Sequence, residues 1–572
     1  MLINDLSEKV KDVFTKIGYI DNDENTVYLV DSDRPDLSDL QCNLSLKLCK
    51  QYKKSPQEIA KQFVSELQKD KELNQIFSNV SVAGPGFINF SLSDEYINSK
   101  LNKMMIEPKF GIKPTNKKVV LDFGGPNVAK PLHVGHLRSA IVGESIKHIM
   151  QYSGDSVISD IHLGDFGLQI GQVIEGIRRS GKDIEEISID DLDKIYPLLS
   201  AECKDNPETQ AICAQITAEL QSGNISYRKI WKKIMQLSKK DIKSQYDYLG
   251  VSWDLWKGES DCFKTCVKLE KELREKGYLE KSEGAEIIRT CDDNSQPPLI
   301  YKNSRGAYMY GTTDLATLKD RMDEFNPDEI VYVVDKRQSL HFDQVFEAAR
   351  RTKIVPPTTQ LTFCGFGTVN GTDGKPFKTR KGDAPKLTSL FKQIKDMLRE
   401  KEQNANATDE DLDKLVNATI KFADLQNSRD YDYIFDIEKF SNTTGRTGPY
   451  LLYTNARLIS ILKNELFDKK EISSPIYNEQ DRDLRLQLLK FQEVFDRAYR
   501  EKKPNILGEY VFGICEKANA FYQVNKVKGN LNLIQKNNWC NLLSMAIKMI
   551  TDVSELLTIK QPRSMDKKAK SK

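Results

Sequence analysis

The sequence has few histidines, no paired cysteine motif and no long apolar run. It holds only five histidines and ten cysteines in 572 residues, and no two cysteines are spaced as C-x-x-C. This pattern gives no start to a zinc ribbon and favours reduced thiols that act as small core residues, so no structural zinc is expected. No apolar stretch approaches the ~20 residues of a membrane helix, and the charged, amphipathic N-terminus lacks a signal-peptide core. We therefore expect a cytoplasmic protein with no membrane partner.

The chain also lacks an excess of charge of either sign. Lys+Arg is 85 and Asp+Glu is 83, which gives a formal net charge of only +2. Overall basicity is therefore no evidence for a nucleic-acid partner, and any such binding must use local patches. With 39% apolar and 29% charged residues the composition is that of a soluble globular chain. The length predicts about three or four domains.

Helix and strand patterns alternate in residues 1–108, which predicts a small N-terminal α+β domain. The apolar spacing over 2–14 predicts a helix, and residues 27–30 read as a short strand. Ser55 before Pro56 is typical of a helix start. The segment 84–90, with two glycines and a proline before alternating residues, predicts a turn that leads into a strand.

From residue 115 to about 390 the pattern becomes α/β. Apolar runs at 119–123, 157–161 and 330–334 predict buried strands, and a helix is expected over 135–152. Buried strands separated by helices are typical of a doubly wound parallel sheet. The charged stretch 175–300 looks helical and is interpreted as an insertion between two halves of that sheet.

Strand patterns nearly vanish after residue 388. Amphipathic helices are predicted at, for example, 451–462 and 484–499. We divide this part into a helical connector over 391–445 and an all-α helical bundle over 446–572.

The segment 123–138 carries the first chemical motif. It reads F-G-G-P-N-V-A-K-P-L-H-V-G-H-L-R, so a strand ends, glycines turn the chain and a helix begins. Open α/β sheets bind nucleotides at such a point, where the helix start favours phosphate oxygens. His133 and His136 are three residues apart and can face one ligand, and Gly135 between them lets a flat base approach. The alternatives are two ordinary histidines beside a tight turn, or a zinc site, which lacks a third ligand.

This motif resembles the first signature of class I aminoacyl-tRNA synthetases, and the longer text P-N-x-A-K-P-x-H-V-G-H-L-R-S resembles the arginyl-tRNA synthetase family. Five further segments are similar to that family and occur in its order. They are H-L-G-D-F-G-L-Q at 162–169, A-Y-M-Y-G-T-T-D-L-A at 307–316, D-K-R-Q-S-L-H at 335–341, G-K-P-F-K-T-R-K-G at 374–382 and T-G-P-Y-L-L-Y-T-N-A-R at 447–457.

The resemblance implies a Rossmann-like catalytic domain, an appended N-terminal domain and a helical anticodon-binding domain. It also implies a reaction. The carboxylate of L-arginine attacks the α-phosphate of ATP, and the 2′-hydroxyl of the terminal adenosine of tRNA(Arg) then takes the arginyl group. His133 and His136 would stabilise the α-phosphate and Gly135 would lie under the adenine. Mg²⁺ is expected as the partner of ATP, and a monomer is usual for the resemblance.

The second signature departs from the usual K-M-S-K-S. Thr379 stands where the second lysine is normally found, beside Arg380 at the nucleotide. Family members without that lysine tend to carry one just before the first signature, and this chain has Lys130 there. Our hypothesis is that Lys130, helped by Lys378 and Lys381, supplies the missing positive charge. The alternative for the Lys378–Lys381 segment is a solvated basic loop.

A guanidinium substrate needs carboxylates, because it is planar, always charged and carries five N–H donors. The resemblance assigns Asp314 and Tyr310 to the guanidinium, and Asn127 and Gln338 to the α-amino and carboxylate groups. Glu259 is expected as a second acid. The alternative for Asp314 is a helix cap, because the Thr-Thr-Asp stretch at 312–314 also suits a helix start.

Two further regions are predicted to bind tRNA. Phe87 and Asn89 belong to the N-terminal domain, where an aromatic ring and an amide suit single-stranded RNA. Tyr453, Asn455 and Arg457 fall on one predicted helix of the bundle, where such residues suit splayed anticodon bases. The alternatives are core roles for Phe87 and for the tyrosines. Met565 lies in a C-terminal segment that departs from the family's usual ending, which leaves its anticodon role open.

Two competing functions remain open on the sequence. One is another class I synthetase, although the cysteinyl type would need zinc ligands and the glutamyl type a cationic side-chain pocket. The other is a tRNA-binding paralogue without catalysis, which would need broken catalytic signatures, and Thr379 is the only departure in them. Pyrophosphate exchange with arginine, with and without tRNA, separates these possibilities.

Overall fold

The computed structural model describes residues 2–562 apart from short gaps. The gaps are residues 21–27, 35, 294, 305, 377–385, 402–403, 405–406, 464, 469–470 and 474. Among the described residues no helix is both long and apolar enough to span a membrane.

The N-terminal region combines five helices with an antiparallel sheet. The sheet has the order β1-β2-β4-β3. The elements are α1 (Leu2–Lys16), β1 (Val30–Asp31), β2 (Leu40–Cys42), α2 (Leu44–Tyr52), α3 (Pro56–Leu67), α4 (Lys71–Ile76), β3 (Phe77–Ala83), β4 (Phe87–Leu92) and α5 (Asp94–Ile106). As expected, Ser55 caps α3, because its hydroxyl accepts a hydrogen bond from the Glu58 N–H. The strand expected at 27–30 begins at Val30 among the described residues, and Val27 lies outside them.

The middle of the chain interleaves strands and helices. In chain order its elements are β5 (Lys118–Phe123), α6 (Leu137–Tyr152), β6 (Ser156–Asp160), α7 (Leu168–Ser180), α8 (Ile189–Asp205), α9 (Pro207–Gln221), α10 (Ile225–Leu249), α11 (Glu259–Glu275), β7 (Glu280–Ser282), β8 (Ala285–Ile288), β9 (Leu299–Lys302), α12 (Tyr310–Phe325), β10 (Glu329–Asp335), α13 (Ser339–Arg351) and β11 (Gln360–Phe366). The three strands that the apolar runs predicted are present as β5, β6 and β10.

A parallel four-stranded sheet forms the centre of this region. Its order is β11-β10-β5-β6, so the chain moves one way from β5 and the other way from β10. Right-handed crossovers then place α6 and α13 on opposite faces. The core agrees, because Val119, Leu121 and Phe123 pack with α6, whereas Val120 packs with α11, α12 and α13. The sheet is therefore doubly wound, with its topological switch between β5 and β10.

The insertion at 175–300 is more than the helical stretch that its charge pattern predicted. Helices α7 to α11 are present, but β7, β8 and β9 form a small antiparallel sheet at its end. The prediction of an all-helical insertion was wrong there, because the exposed strand Glu280–Ser282 carries no apolar alternation.

The rest of the chain is helical apart from two short strands. Its elements are β12 (Val369–Asn370), α14 (Leu387–Arg399), α15 (Asp409–Leu425), β13 (Tyr433–Ile434), α16 (Ile437–Phe440), α17 (Gly448–Leu462), α18 (Glu479–Leu489), α19 (Phe491–Glu501), α20 (Asn505–Val524) and α21 (Leu533–Leu556). The single helix predicted over 484–499 was wrong, because α18 and α19 divide at Lys490.

The three regions are joined by buried polar contacts. In the middle of α6, Ser145 donates to the carbonyl of Leu556 at 2.8 Å, at the end of α21. Arg138, near the start of α6 and 1% exposed, pairs with Asp424 at 3.2 Å and donates to the Gly367 carbonyl at 2.9 Å. On the other side, Arg482 of α18 bridges the N-terminal region, 2.7 Å from the Asp39 carboxylate.

Candidate active site

A cavity of about 460 Å³ opens at the carboxyl ends of β5 and β10. Open α/β sheets bind their ligands in this position. Its lining includes backbone from the turn after β5, the start of α6, and side chains from α12, β10 and α13. The residues that bear on chemistry are Asp122, Gly124, Gly135, His136, Ser139, His162, Tyr310, Asp314, Tyr332, Gln338 and His341.

The two signature histidines are held by the backbone around them. A 3-10 turn at Val134–His136 leads into α6. His133 accepts at Nδ1 from the Gly135 N–H, and His136 accepts at Nδ1 from the His133 N–H, both at 3.1 Å. Their rings lie 4.0 Å apart. A side chain at Gly135 would press on the His133 ring, since a Cβ there would lie 2.8 Å from a ring carbon.

The surroundings of both imidazoles favour their neutral form. Burial, with the charge of Lys130, lowers the pKa of His133. Burial also lowers the pKa of His136 to about 3, and the neighbouring His133 adds to that effect. Because each Nδ1 accepts a hydrogen bond, the proton of each neutral ring is assigned to Nε2. The pair therefore offers two neutral N–H donors beside the first turn of α6.

Asp314 lies in the cavity, one helical turn after Tyr310. Both residues line it from α12, which begins at Tyr310. The alternative of a helix cap at Asp314 does not hold, because Met309 occupies the cap position. A carboxylate oxygen of Asp314 lies 2.5 Å from Nε2 of His341. The expected acid is therefore present and is oriented by a histidine that also lines the cavity.

Beneath Asp314 lies a buried cluster of two acids and an arginine. Nη2 of Arg321 is 2.5 Å from Asp122 and 2.8 Å from Asp160, and the guanidinium lies over the Tyr332 ring at 5.3 Å. Burial raises the pKa of Asp122 even beside this guanidinium. His162 belongs to the same cluster: burial alone would lower the pKa of its imidazole, but the carboxylates of Asp160 and Asp122 raise it.

Asp122, Asp160 and His162 are also the one group of metal-type ligands found among the described residues. Arg321 already contacts both carboxylates, so a cation is present between them without any metal. This cluster is better explained as a charge-balanced floor than as a metal centre.

Glu259 does not line the main cavity. It begins α11 and lines a neighbouring cavity of about 390 Å³, which shares Tyr310 with the first. Burial raises the pKa of Glu259 to about 7, with further contributions from Asp165 and Asp314. The expected second acid thus lies close enough to Asp314 to feel its charge, but on the far side of Tyr310.

Gln338 lines the main cavity, whereas Asn127 is not among the residues that line it. Gln338 ends a 3-10 turn, Lys336–Gln338, between β10 and α13. Asn127 is exposed and accepts at Oδ1 from Gln169 at 3.1 Å. Gly164 permits this contact, because a Cβ there would lie 2.1 Å from Oδ1 of Asn127.

Lys130 lies near the histidine pair, whereas the second signature lies outside the described residues. The Lys130 ammonium lies 4.4 Å from the centre of the Tyr196 ring. Lys378, Thr379, Arg380 and Lys381 fall in the gap at 377–385, outside the described residues. Their predicted roles at the nucleotide remain predictions.

The predicted tRNA residues differ in accessibility. Phe87 is half-buried at the start of β4, and Asn89 is 6% exposed and accepts from Gln41 at 3.1 Å. On α17, Asn455 is fully buried and donates to Thr551 at 3.2 Å, whereas Arg457 is exposed.

Tyr453, on the same helix, is half-buried and donates its hydroxyl proton to Asn404. This is in keeping with the core role that its spacing also allowed. Met565 lies outside the described residues.

Comparison with known proteins decides the family. The family model "tRNA synthetases class I (R), catalytic domain" matches residues 100–437. Curated relatives are the arginine–tRNA ligases of Alkaliphilus oremlandii and Francisella tularensis subsp. holarctica. The first is 38% identical and covers 99% of this chain and 100% of the relative, and the second is 40% identical with 98% and 99% covered. The chain belongs to the arginyl-tRNA synthetase family.

The flanking regions of this arginyl-tRNA synthetase family member match as well. Residues 3–92 match "Arginyl tRNA synthetase N terminal domain" and residues 451–565 match "DALR anticodon binding domain". An arginyl-tRNA synthetase structure from Plasmodium falciparum superimposes with a TM-score of 0.80, at 24% identity and covering 97% of this chain and 98% of the other. The Thermus thermophilus structure gives 0.78 at 20% identity, covering 98% and 100%. These matches confirm the predicted family and the predicted α/β fold with a helical C-terminal part.

Asp122, His162 and His341 are cavity residues for which the sequence predicted no role. Asp122 belongs to the predicted buried strand, and the two histidines belong to segments that are similar to the family. A charged residue inside an otherwise apolar strand, next to the switch point, was the available signal for Asp122. The pairing of His341 with Asp314 spans 27 residues and had no local signal.

Proposed function

We propose that the chain is an arginine–tRNA ligase. It activates L-arginine with ATP to arginyl-adenylate, releasing pyrophosphate, and then transfers the arginyl group to the 2′-hydroxyl of the terminal adenosine of tRNA(Arg). One observation carries this proposal. A single cavity at the sheet's switch point is lined by His136 of the first signature, beside which His133 packs, and by the carboxylates of Asp122 and Asp314.

The histidine wall takes the nucleotide. Gly135 is exposed and offers flat backbone to the adenine. His133 and His136 donate hydrogen bonds from Nε2–H to α-phosphate oxygens, where negative charge grows as the arginine carboxylate attacks. Neutral donors suit this task because they are already oriented by their Nδ1 contacts and need no proton transfer.

The opposite wall takes the guanidinium. Asp314 is held by His341, and Asp122 faces the same cavity from the end of β5. Arg321 already contacts both buried acids, Asp122 and Asp160, so Asp314 is the cavity carboxylate that we assign to the guanidinium. Tyr310 closes this side, with Glu259 behind it. A glutamate side chain would meet acids here, which disfavours the glutamyl alternative.

Asn127 and Gln338 follow β5 and β10, the two neighbouring strands whose carboxyl ends form the cavity. We assign them to the α-amino and carboxylate groups of arginine, because both offer neutral amides that suit either group. In-line attack on the α-phosphate then requires only positioning and charge stabilisation, with no covalent bond to the protein.

Lys130 and the 378–381 segment are assigned to the pyrophosphate side of ATP. Mg²⁺ enters with ATP as the counter-ion of its phosphates, and we assign it no side-chain ligand. For tRNA contact we retain Phe87 and Arg457. Tyr453 is assigned to the core, and the buried amides Asn89 and Asn455 bond to the side chains of Gln41 and Thr551 instead. All ten cysteines are free, in keeping with a reducing cytoplasm. We propose a monomer.

Pyrophosphate exchange tests the function directly. Labelled pyrophosphate should enter ATP when the protein, L-arginine and tRNA(Arg) are all present, and should not when L-lysine or L-glutamate replaces arginine. Omitting tRNA should abolish the signal. Exchange that depends on another amino acid, or none with any of them, would refute the proposal.

The Lys130 assignment has its own comparison. Lys130→Ala should reduce exchange more than Lys378→Ala does. A larger defect for Lys378→Ala would overturn it.

A further inference from the structure

We propose that Tyr196, on the insertion helix α8, is a positioning residue for Lys130 in the nucleotide site. The inference rests on the role proposed above for Lys130. It extends that role to the insertion, which the sequence motifs left without any function. Tyr196 acts through the lysine and is not assigned a contact with ATP.

The first observation is the contact itself. The Lys130 ammonium lies over the Tyr196 ring, 4.4 Å from its centre. Burial alone would raise the pKa of the Tyr196 hydroxyl, but hydrogen bonds with Lys130 and Ser200, together with the charges of Lys130 and Lys204, lower it overall. Both side chains are half-buried. Within the described part of the chain Lys130 has no carboxylate in ion-pair contact, so its charge stays available to an anion.

The second observation is that the same face of α8 also contacts Lys386, the first described residue after the second signature. Asp193 lies three residues before Tyr196, and its carboxylate is 2.5 Å from the Lys386 ammonium. Lys386 directly follows the gap that contains the second signature, and its backbone pairs with that of His133. Leu387 continues the contact by donating to the Leu132 carbonyl at 3.2 Å.

Residues three apart on a helix point the same way, so one turn of α8 contacts a lysine beside each signature. A lysine side chain has four rotatable bonds and loses its preferred position readily. A ring face restrains the ammonium without neutralising it, whereas a carboxylate would cancel the charge that the pyrophosphate needs. Tyr196 therefore leaves the positive charge of Lys130 available to a ligand, whereas Asp193 neutralises the charge of Lys386 in a structural ion pair.

A double-mutant cycle in the full-length protein tests this. Arginine-dependent pyrophosphate exchange is measured for Tyr196→Ala, Lys130→Ala and the double variant, with kcat and the KM values for ATP and arginine. We expect Tyr196→Ala to lower kcat about tenfold, as loss of one desolvated cation–π contact would. The KM for arginine should stay within twofold, and adding Tyr196→Ala to Lys130→Ala should cause no further loss. Tyr196→Phe, which keeps the ring, should retain most of the rate.

The control is Leu198→Ala, two residues along α8 and 68% exposed, which should match the parent protein. Multiplicative losses in the double variant would overturn the proposal, since a structural defect in α8 acts whether or not Lys130 is present. So would a Tyr196→Ala variant with the parent rate, or a Lys130→Ala variant with none of the expected loss. Failure of the parent protein to exchange with arginine would instead refute the proposed function itself.

Discussion

Replacing Asp314 by asparagine should weaken arginine binding far more than ATP binding. The change keeps the shape and one oxygen for His341, but it removes a negative charge that faces the guanidinium. The side chain is 21% exposed, so a site near the protein surface is the appropriate reference. Two unit charges about 4 Å apart there interact by about 4 kcal/mol at most. Since the amide oxygen still accepts one hydrogen bond, we expect a net loss of about 2–3 kcal/mol, or about 30- to 150-fold in the KM for arginine.

The assay is pyrophosphate exchange at saturating tRNA, with arginine and ATP varied in turn. Asp323→Asn is the matched control, because Asp323 lies on the same helix, is 62% exposed and, among the described residues, forms its one ion pair with Lys319. It should change neither KM by more than about twofold, as surface ion pairs contribute little. If Asp314→Asn leaves the KM for arginine within threefold, or raises the KM for ATP equally, the placement of the guanidinium beside α12 is wrong.

Three further predictions concern other parts of the site. His136→Ala should lower kcat by about 10²–10³-fold, the usual cost of one lost charge-stabilising donor. His148→Ala, on the helix α6 that follows His136, should leave kcat unchanged. Equal losses of kcat in the two variants would contradict a catalytic role specific to His136. Because the pKa of Glu259 is raised to about 7, its carboxylate ionises as the pH rises from 6 to 8. The value of kcat/KM for arginine should therefore rise over that range, and Glu259→Gln should flatten this pH profile. An unchanged profile in the variant would rule out a role for Glu259 in arginine binding. Arg321→Met removes the guanidinium between two buried carboxylates and should lower the free energy of unfolding in urea at pH 7 by about 3–5 kcal/mol. The surface variant Arg274→Met should change this free energy little. An unaltered unfolding midpoint for Arg321→Met would contradict the charge balance described for the cavity floor.

The elements that could be predicted are those whose cause is local. Ser55 caps α3 because its hydroxyl meets an N–H three residues on, and the strand β5 follows from a run of apolar residues. The histidine pair was identified in the same way, because turn, spacing and helix start all lie within a few residues of Gly135. Local patterns therefore predicted three of the four central strands, β5, β6 and β10, and the position of the histidine pair, whereas β11 was not predicted.

The contacts that could not be predicted join distant segments. Arg321 meets Asp122 across 199 residues, and nothing near either residue indicates the pairing. The small sheet β7-β8-β9 was missed because its strands are only three or four residues long, β7 is polar and exposed, and the strands depend on one another for their hydrogen bonds. The division at Lys490 has no glycine or proline to mark it. The acidic side of the cavity was accordingly reached only through the family resemblance.

The hydrogen bond from Ser145 to the Leu556 carbonyl has a practical consequence for anyone who wishes to study amino-acid activation alone. The helix that carries the first signature also donates, through its interior, to the carboxyl end of the last long helix of the chain. His148, one turn further on, adds a contact of 2.8 Å to the carbonyl of Glu555. A truncated protein that stops before residue 550 would lack both acceptors, the carbonyls of Glu555 and Leu556. It would also expose to solvent a polar face of α6 that is covered in the full-length chain. Excising the nucleotide-binding half as an independent fragment should therefore yield an unstable product, and minimal versions of this protein need to retain its C-terminal helices.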